Sequence, residues 1–208
     1  MKTPRLRLLI VDDHFMVRLG VTSALARERD MEVVGEARNG CEALELFEKL
    51  HPDVTLLDGR LPDLHGLEVT RRIMKKHPGA RVIMVSIEDT AEDIHRALEA
   101  GACGYLPKAG EKSEMVRAIR AVAAGERFLP ADCAHKLAER NLFVTLSERE
   151  LEVLRLVAQG KSNKAIAGDL GMGDATVKTH LSHILSKLGA PDRTRAVTLA
   201  LERGLLRL

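Results

Sequence analysis

The sequence lacks any apolar run near the roughly 20 residues that a helix needs to cross a bilayer. Acidic residues follow the first short apolar stretch, so no secretory signal is indicated. The three cysteines (Cys41, Cys103 and Cys133) are far apart and form no C-x-x-C pair, which argues against a disulfide framework or a zinc site. These absences predict a cytoplasmic protein with reduced thiols and no membrane partner.

A strong excess of one charge is also lacking. The 208 residues include 32 Lys and Arg against 30 Asp and Glu, and the hydrophobic share of 45% is ordinary for a globular protein. The charge is unevenly divided, because residues 144–208 carry ten Lys and Arg against seven Asp and Glu, while residues 1–143 carry 22 against 23. The basic bias of the last third is compatible with nucleic-acid binding and no more than that.

The first half of the chain alternates short apolar runs with amphipathic stretches. Five strand-helix pairs are predicted: 6–11 with 16–29, 32–37 with 41–50, 54–57 with 67–76, 81–85 with 91–100, and 103–106 with 112–123. Such alternation is typical of a doubly wound parallel sheet. We therefore predict an α/β domain over residues 1–125, followed by a linker over residues 126–143.

Charged residues stand where three of the predicted strands end. Asp12 and Asp13 follow the first strand, Asp58 follows the third, and Lys108 follows the fifth. The carboxyl ends of parallel strands meet at one edge of a sheet, so these side chains should lie together. Clustered carboxylates raise one another's pKa unless a cation neutralises them, and oxygen ligands suit Mg²⁺.

This cluster predicts phosphoryl chemistry, in which Asp58 attacks phosphorus while Mg²⁺ and Lys108 stabilise the charge on its oxygens. Two alternatives stay open. In the first alternative, the acids are ordinary strand-end residues in solvated loops. In the second, they form the site of a small phosphatase or hydrolase.

From residue 146 onward the whole pattern is helical. Ser147 and Glu150 form a capping box that opens a helix to residue 159, and further helices are predicted over 163–170, 174–188 and 192–203. Asp174 is expected to cap the third of these helices. Two helices joined by a short glycine-containing turn favour an all-α, four-helix domain with a helix-turn-helix over residues 144–208.

The third helix of this region has one apolar and one polar face. The apolar face consists of Val177, Leu181, Ile184, Leu185 and Leu188. The polar face consists of Thr179, Ser182, His183 and Ser186, with Lys178 at its edge. Such a face could enter a major groove and donate hydrogen bonds to bases or phosphates. The alternatives are the polar surface of a helical bundle and an adaptor that binds only proteins.

Several longer motifs stand out along the chain. In the first half they are VDDH (11–14), LLDGRLPDLHG (56–66), MVS (84–86) and GYLPKAG (104–110), and in the second TLSERELEVLRLVAQGKSNKAIAGDL (145–170) and ATVKTHLSHILSKLGAPDRTRAV (175–197). The first set is similar to receiver motifs and the second to the LuxR-type DNA-binding signature, so the chain resembles the NarL/FixJ-type response regulators of bacterial two-component signalling. The resemblance covers nearly the whole chain and implies a receiver domain joined to a LuxR-type helix-turn-helix domain.

The resemblance also implies roles for individual receiver residues. Asp58 corresponds to the phospho-acceptor, and Asp12 and Asp13 hold Mg²⁺ together with Asp58 and the backbone carbonyl of Arg60. Lys108 pairs with the phosphoryl group. The two switch residues of the family correspond to Ser86 and Tyr105, and the DNA-contacting positions to Lys178, Thr179 and Ser182.

The implied function is a transcription regulator that accepts a phosphoryl group from a histidine kinase and binds promoter DNA. It is expected to act as a homodimer when phosphorylated, with RNA polymerase as a further candidate partner. Its only reactions would be self-phosphorylation and slow self-dephosphorylation, so no other enzymatic activity is expected.

Some positions depart from the family pattern. Phe15 and Ala109 stand where many relatives have proline, so a cis bond between Lys108 and Ala109 is not assumed. Ser182 stands where some relatives carry lysine, which prevents the transfer of any relative's DNA sequence preference. Arg60 and Glu88 are expected to flank the phosphoryl group and to slow its hydrolysis.

Overall fold

The structure is a computed structural model that describes residues 5–87, 89–142 and 146–206. The chain divides into two compact units, one built mainly from residues before 135 and the other mainly from residues 135 onward. The predicted division at 125/126 and 143/144 stays a prediction, and residues 143 and 144 lie outside the described part. No helix within the described ranges is long and apolar enough to cross a membrane.

The first unit is a five-stranded sheet flanked by helices. Its strands are β1 (Leu6–Val11), β2 (Met31–Ala37), β3 (Val54–Asp58), β4 (Val82–Ser86) and β5 (Gly104–Pro107). Its helices are α1 (Phe15–Leu25), α2 (Gly40–Leu50), α3 (Gly66–Lys76), α4 (Ala91–Glu99) and α5 (Lys112–Ala123). The strand order is β2-β1-β3-β4-β5 with every pair parallel. The predicted doubly wound α/β fold is confirmed.

The buried apolar strands β1 and β3 in the middle of this sheet position the acids at their carboxyl ends. Leu8 and Leu9 of β1 and Leu57 of β3 have no exposed surface, as expected for parallel strands covered on both faces. β1 pairs with β3 in a register that sets Val11 beside Leu57. Because the two strands are adjacent, the acids that end them emerge side by side.

Many element ends differ from the sequence prediction by one residue, and α1 differs by four at its end. α1 ends at Leu25 instead of residue 29, because Leu25 is its last buried side chain and the charged residues that follow turn the chain towards β2. β3 extends to Asp58 and β4 to Ser86, since Asp58 pairs with Val85 and Ser86 with Pro107. Both polar residues are therefore fixed by the sheet itself.

The second unit is helical. After α6 (Ala131–Leu142), which begins before residue 135, its helices are α7 (Glu148–Ala158), α8 (Asn163–Leu170), α9 (Asp174–Leu188) and α10 (Arg193–Glu202). The core of α7 to α10 includes Val153, Leu154, Ile166, Val177 and Ile184, each with no exposed surface. The predicted four-helix arrangement after residue 146 is confirmed, and α6 lies within the stretch that was predicted to be a linker.

The turn between α8 and α9 contains one correction. Gly171 adopts a left-handed conformation with φ of 63°, which ends α8. Asp174 was predicted to cap α9, but Gly173 occupies the cap position and the helix has no side-chain cap. The Asp174 carboxylate instead lies in the first turn and pairs with Lys178 at 2.9 Å, where the helix dipole favours an acid.

Candidate functional site

The carboxyl edge of the sheet brings the predicted acids and the lysine together. Asp12 and Asp58 are both buried, each with 4% of its surface exposed. The Lys108 ammonium lies 2.7 Å from an oxygen of Asp12 and 2.7 Å from an oxygen of Asp58. β5 delivers this lysine, and the Lys108 amide donates to the Ser86 carbonyl at 2.8 Å. One cation thus bridges two carboxylates.

The charges of this cluster do not balance. Burial raises the pKa of Asp58, although the hydrogen bond from Lys108 opposes this effect. Burial would lower the pKa of Lys108, but its hydrogen bonds to Asp12 and Asp58 outweigh burial and raise that pKa. Two buried carboxylates share one ammonium group, so the site retains net negative charge and favours a bound cation.

Asp13 and His14 complete a group that could hold a metal ion. Ligand atoms of Asp12, Asp13, His14 and Asp58 all lie within 4.8 Å of one another. Asp13 is exposed, so the group opens to solvent on one side. An acidic pocket of this kind is typical of Mg²⁺ binding, because hard cations prefer carboxylate oxygens and Mg²⁺ keeps several waters.

Two residues at this site, one of them within the group, were not predicted from the sequence to be functional. The His14 amide donates to Asp12 at 2.8 Å, and its ring nitrogen Nδ1 lies 2.7 Å from Asp13. Arg18 of α1 donates to the backbone oxygen of Asp12 at 2.7 Å. Both contacts orient the end of β1. His14 is visible in the VDDH motif, whereas Arg18 gives no signal beyond its place on α1.

Of the remaining receiver residues, Arg60 and Ser86 lie at the same edge, and Tyr105 lies within β5, where it pairs with Met84. The Arg60 amide donates to Asp58 at 3.1 Å, so its backbone adjoins the acid. Ser86 is buried at the end of β4, and Tyr105 of β5 is 1% exposed. The Lys108–Ala109 bond is trans, as are all peptide bonds of the described residues. Glu88, expected to face Arg60, lies outside the described residues.

In the second unit, the predicted polar face of α9 is exposed. Lys178, Thr179, Ser182 and His183 are all exposed. Val177, Ile184 and Leu188 are buried on the opposite face, which packs against the rest of the unit. The Thr179 hydroxyl donates to the Ala175 carbonyl at 3.1 Å. The helix thus presents small polar and cationic groups on one surface.

A lysine-bridged acidic pocket on a five-stranded parallel sheet, in a chain that also carries a helix-turn-helix, defines a two-part signalling regulator. The description "Response regulator receiver domain" matches residues 8–120, and "Bacterial regulatory proteins, luxR family" matches residues 144–200. The chain belongs to the DNA-binding response regulators of two-component systems, which are transcription factors rather than classical enzymes.

Individual relatives agree with this assignment. The chain is 38% identical to response regulator protein VraR of Staphylococcus saprophyticus and 39% identical to that of Staphylococcus aureus, and each match covers 97% of this chain and 99% of the relative. The response regulator ChrA of a heme-sensing two-component system is 37% identical, with a TM-score of 0.58 over 98% of this chain and all of that one. RcsB of Salmonella typhimurium, 24% identical, shares the fold with a TM-score of 0.77 over 93% of this chain and 98% of its own.

Proposed function

We propose that the receiver is a phosphorylation switch in which Asp58 is the phospho-acceptor. The observation that carries the proposal is the Lys108 ammonium, held 2.7 Å from Asp58 at the open edge of the sheet. An Asp58 oxygen attacks the phosphorus of a phosphohistidine on the partner kinase, so an O–P bond forms and the P–N bond breaks. The imidazole nitrogen of the kinase histidine takes the electron pair of the P–N bond and leaves as part of a neutral ring that is protonated on its other nitrogen. Lys108 stabilises the charge on the phosphoryl oxygens.

Magnesium fits the residues at this site. Asp12, Asp13 and Asp58 would hold the ion together with the backbone carbonyl of Arg60, and carboxylates outnumber the single imidazole, His14, in this group. The ion would neutralise phosphoryl charge during transfer. The chain's own contribution is to keep Asp58 ionised and oriented, through Lys108 and the Arg60 amide.

Ser86 and Tyr105 are proposed to communicate the modification. They lie on the neighbouring strands β4 and β5, where Ser86 pairs with Pro107 and Tyr105 pairs with Met84, two residues before Ser86, and both are nearly fully buried. When the Ser86 hydroxyl turns towards the phosphoryl oxygens, it vacates space that the Tyr105 ring can enter. Such a two-position element can favour one arrangement of the protein by a coupling energy of ~1 to 3 kcal/mol.

The second unit is proposed to bind promoter DNA through α9, with Lys178, Thr179, Ser182 and His183 on the contacting face. The support is the exposure of all four side chains opposite a buried apolar face. A phosphorylated homodimer would read two half-sites, and RNA polymerase is a further candidate partner at the promoter. A cytoplasmic location belongs to this proposal, since the protein would meet both promoter DNA and the kinase's phosphohistidine there.

Incubation with acetyl phosphate and Mg²⁺ tests this function. We expect one acid-stable, base-labile acyl phosphate per chain, located by mass spectrometry in the peptide that contains Asp58. EDTA should suppress labelling, because the clustered carboxylates then lack their counter-ion. A chain that takes no label, or that labels equally well in EDTA, would show that the acidic pocket has another role.

The role of α9 is tested by Lys178→Ala. This change should weaken DNA binding and reduce the slope of log affinity against log salt by about one if Lys178 contacts a phosphate. If it reads a guanine edge instead, the loss is ~1 to 3 kcal/mol and base preference relaxes. Titrating wild type and variant against one selected site at several salt concentrations separates these cases.

Arg195→Ala offers a matched comparison, because Arg195 lies on α10, outside the two helices of the helix-turn-helix. Thr179→Ala and Ser182→Ala should mainly alter sequence preference. If Lys178, Thr179 and Ser182 can all be replaced without effect on binding, α9 is not the recognition helix.

A further inference from the structure

The loop that follows the phospho-acceptor, residues 59–65, is tied to α2 by the carboxylate of Asp63. Oxygen Oδ1 accepts from the Gly40 amide at 2.7 Å, and Oδ2 accepts from the Cys41 amide at 2.9 Å. Gly40 and Cys41 are the first two residues of α2, whose amides have no partner within the helix. Oδ1 also accepts from the Leu64 amide at 2.8 Å. One side chain therefore joins two segments that are more than 20 residues apart.

The charge of Asp63 makes this link strong. Burial alone would raise the pKa of Asp63, but the hydrogen bonds from the Gly40 and Cys41 amides outweigh burial and hold the pKa well below its usual range. Hydrogen bonds to an ionised acceptor are about twice as strong as neutral ones. The helix dipole adds to the attraction, since the carboxylate lies at the positive end of α2.

Close packing shows independently that the loop sits against α2. A Cβ atom on Gly40 would lie 2.7 Å from the Cβ atom of Leu64 and 2.9 Å from a methyl group of Val69. Only glycine leaves room for this approach. At the far end of the loop, a Cβ atom on Gly66 would collide with the backbone oxygen of Asp58, and the Gly66 amide donates to Gly59 at 2.9 Å.

The loop of residues 59–65 contains Arg60, whose backbone carbonyl is assigned to Mg²⁺ in the proposed function. The Arg60 amide donates to Asp58, and Arg60 pairs with His65 across the loop in an isolated antiparallel bridge. Asp63 lies between Arg60 and His65 in the sequence, so its bonds to α2 fix the position of both. A shift of Asp63 would move Arg60 relative to Asp58.

We propose that Asp63 is a positioning residue, which anchors the loop to α2 so that the Arg60 backbone and Asp58 are set for Mg²⁺ before the ion arrives. The inference rests on the proposed function, since it assigns the metal to this edge. Asp63 touches neither the metal nor the phosphoryl group. It acts by removing the freedom of the loop, which would otherwise have to be ordered when Mg²⁺ binds.

The test uses the full chain with Asp63→Ala. Calorimetric titration with Mg²⁺, without any phosphodonor, should show affinity reduced about tenfold, the lower end of the effect of losing a group that orients a metal ligand. Initial labelling rates with acetyl phosphate should show the same rise in the Mg²⁺ concentration for half-maximal rate. The rate at saturating Mg²⁺ should change much less, because excess ion orders the loop.

Asn39→Ala is the matched control. The Asn39 side chain caps the same helix end by accepting from the Glu42 amide, yet it makes no hydrogen bond to the loop. Its loss should lower the melting temperature of the chain and leave the Mg²⁺ affinity near wild type. Asp63→Asn, which keeps one acceptor oxygen and the same size, should show an intermediate Mg²⁺ affinity and guards against a folding failure of the alanine variant.

The outcomes separate the two proposals. Wild-type Mg²⁺ affinity in both Asp63 variants would overturn the positioning role while labelling of the wild type still supports the proposed function. An equal loss of affinity in Asn39→Ala would also overturn it, because stability of α2 would then be the cause. A wild-type chain that neither binds Mg²⁺ nor takes label would overturn both proposals.

Discussion

Replacing Asp58 by asparagine should reduce labelling by acetyl phosphate below detection, while the chain stays folded. The amide nitrogen and oxygen occupy the same space as the carboxylate but cannot form the acyl phosphate. Lys108 keeps Asp12 as a partner at 2.7 Å, so the buried ammonium is not left alone. Phosphate incorporation per chain, measured by intact mass, checks the prediction.

Two sets of variants show whether the loss is specific. Asp12→Asn and Asp13→Asn should still label, at higher Mg²⁺ concentrations, because these acids are assigned to the metal rather than to phosphorus. Asp53→Asn is a control outside the pocket, where the Asp53 carboxylate accepts from the Arg7 amide, and should label as wild type does. Undiminished label in the Asp58→Asn chain would assign the nucleophile to another carboxylate.

The placement of this pocket could be predicted because each strand of the sheet carries its own signal. Apolar runs that stop at Asp12, Asp58 and Lys108 predict both the position of a strand and the residue at its carboxyl end. Parallel topology then brings those ends to one edge. The prediction needed no knowledge of side-chain conformation, since the strand order alone sets which ends are adjacent.

Element boundaries were harder to predict from the same signals. Ser86 was placed just after β4, although it is the last residue of that strand. The residue is polar, so hydrophobic pattern alone ends the strand too early, whereas pairing with Pro107 continues it. α1 was extended too far for the opposite reason, because charged residues with helical propensity follow Leu25.

Contacts between segments distant in sequence escaped prediction. Asp63 looks like any solvated loop acid, and its bonds to Gly40 and Cys41 depend on how the loop folds back. Glu150 was predicted as half of a capping box, which the structure confirms, but its second partner was not. Lys187 lies 37 residues further along, on another helix, and only packing of α7 against α9 brings the two together.

Removing the Lys187 ammonium group from Glu150 should have a large effect on the stability of the second unit. Glu150 is 3% exposed and accepts from the Lys187 ammonium at 2.7 Å and from the Ser147 amide at 2.7 Å. Lys187→Met should leave this carboxylate buried without a cationic partner, with only Ser147 still hydrogen-bonded to it. Removing one partner of a fully buried pair costs about 3 to 5 kcal/mol. Because the Lys187 side chain is 28% exposed and water screens the pair, we expect about 2 kcal/mol.

Hydrogen exchange in the full chain measures this cost within the second unit alone. Amides of α7 and α9 that exchange through opening of the unit should lose about 30-fold in protection, which corresponds to 2 kcal/mol. Lys161→Met is the matched control, since Lys161 pairs with Asp169 at the same 2.7 Å, but the acid of this pair is 44% exposed whereas Glu150 is buried. That control should change stability by less than about 1 kcal/mol.

Acid titration distinguishes the charge from the packing of this pair. Burial would raise the pKa of Glu150, but the hydrogen bonds from Lys187 and Ser147 outweigh it and lower that pKa. The carboxylate therefore stabilises the folded unit above the ordinary glutamate pKa of about 4.3, and this contribution is lost as pH falls through the lower folded value. Glu150→Gln keeps an acceptor for the Ser147 amide and should remove this acid-sensitive part of the stability. If wild type and Glu150→Gln lose protection in α7 and α9 identically between pH 5 and pH 3, the ion pair does not hold α9 in place.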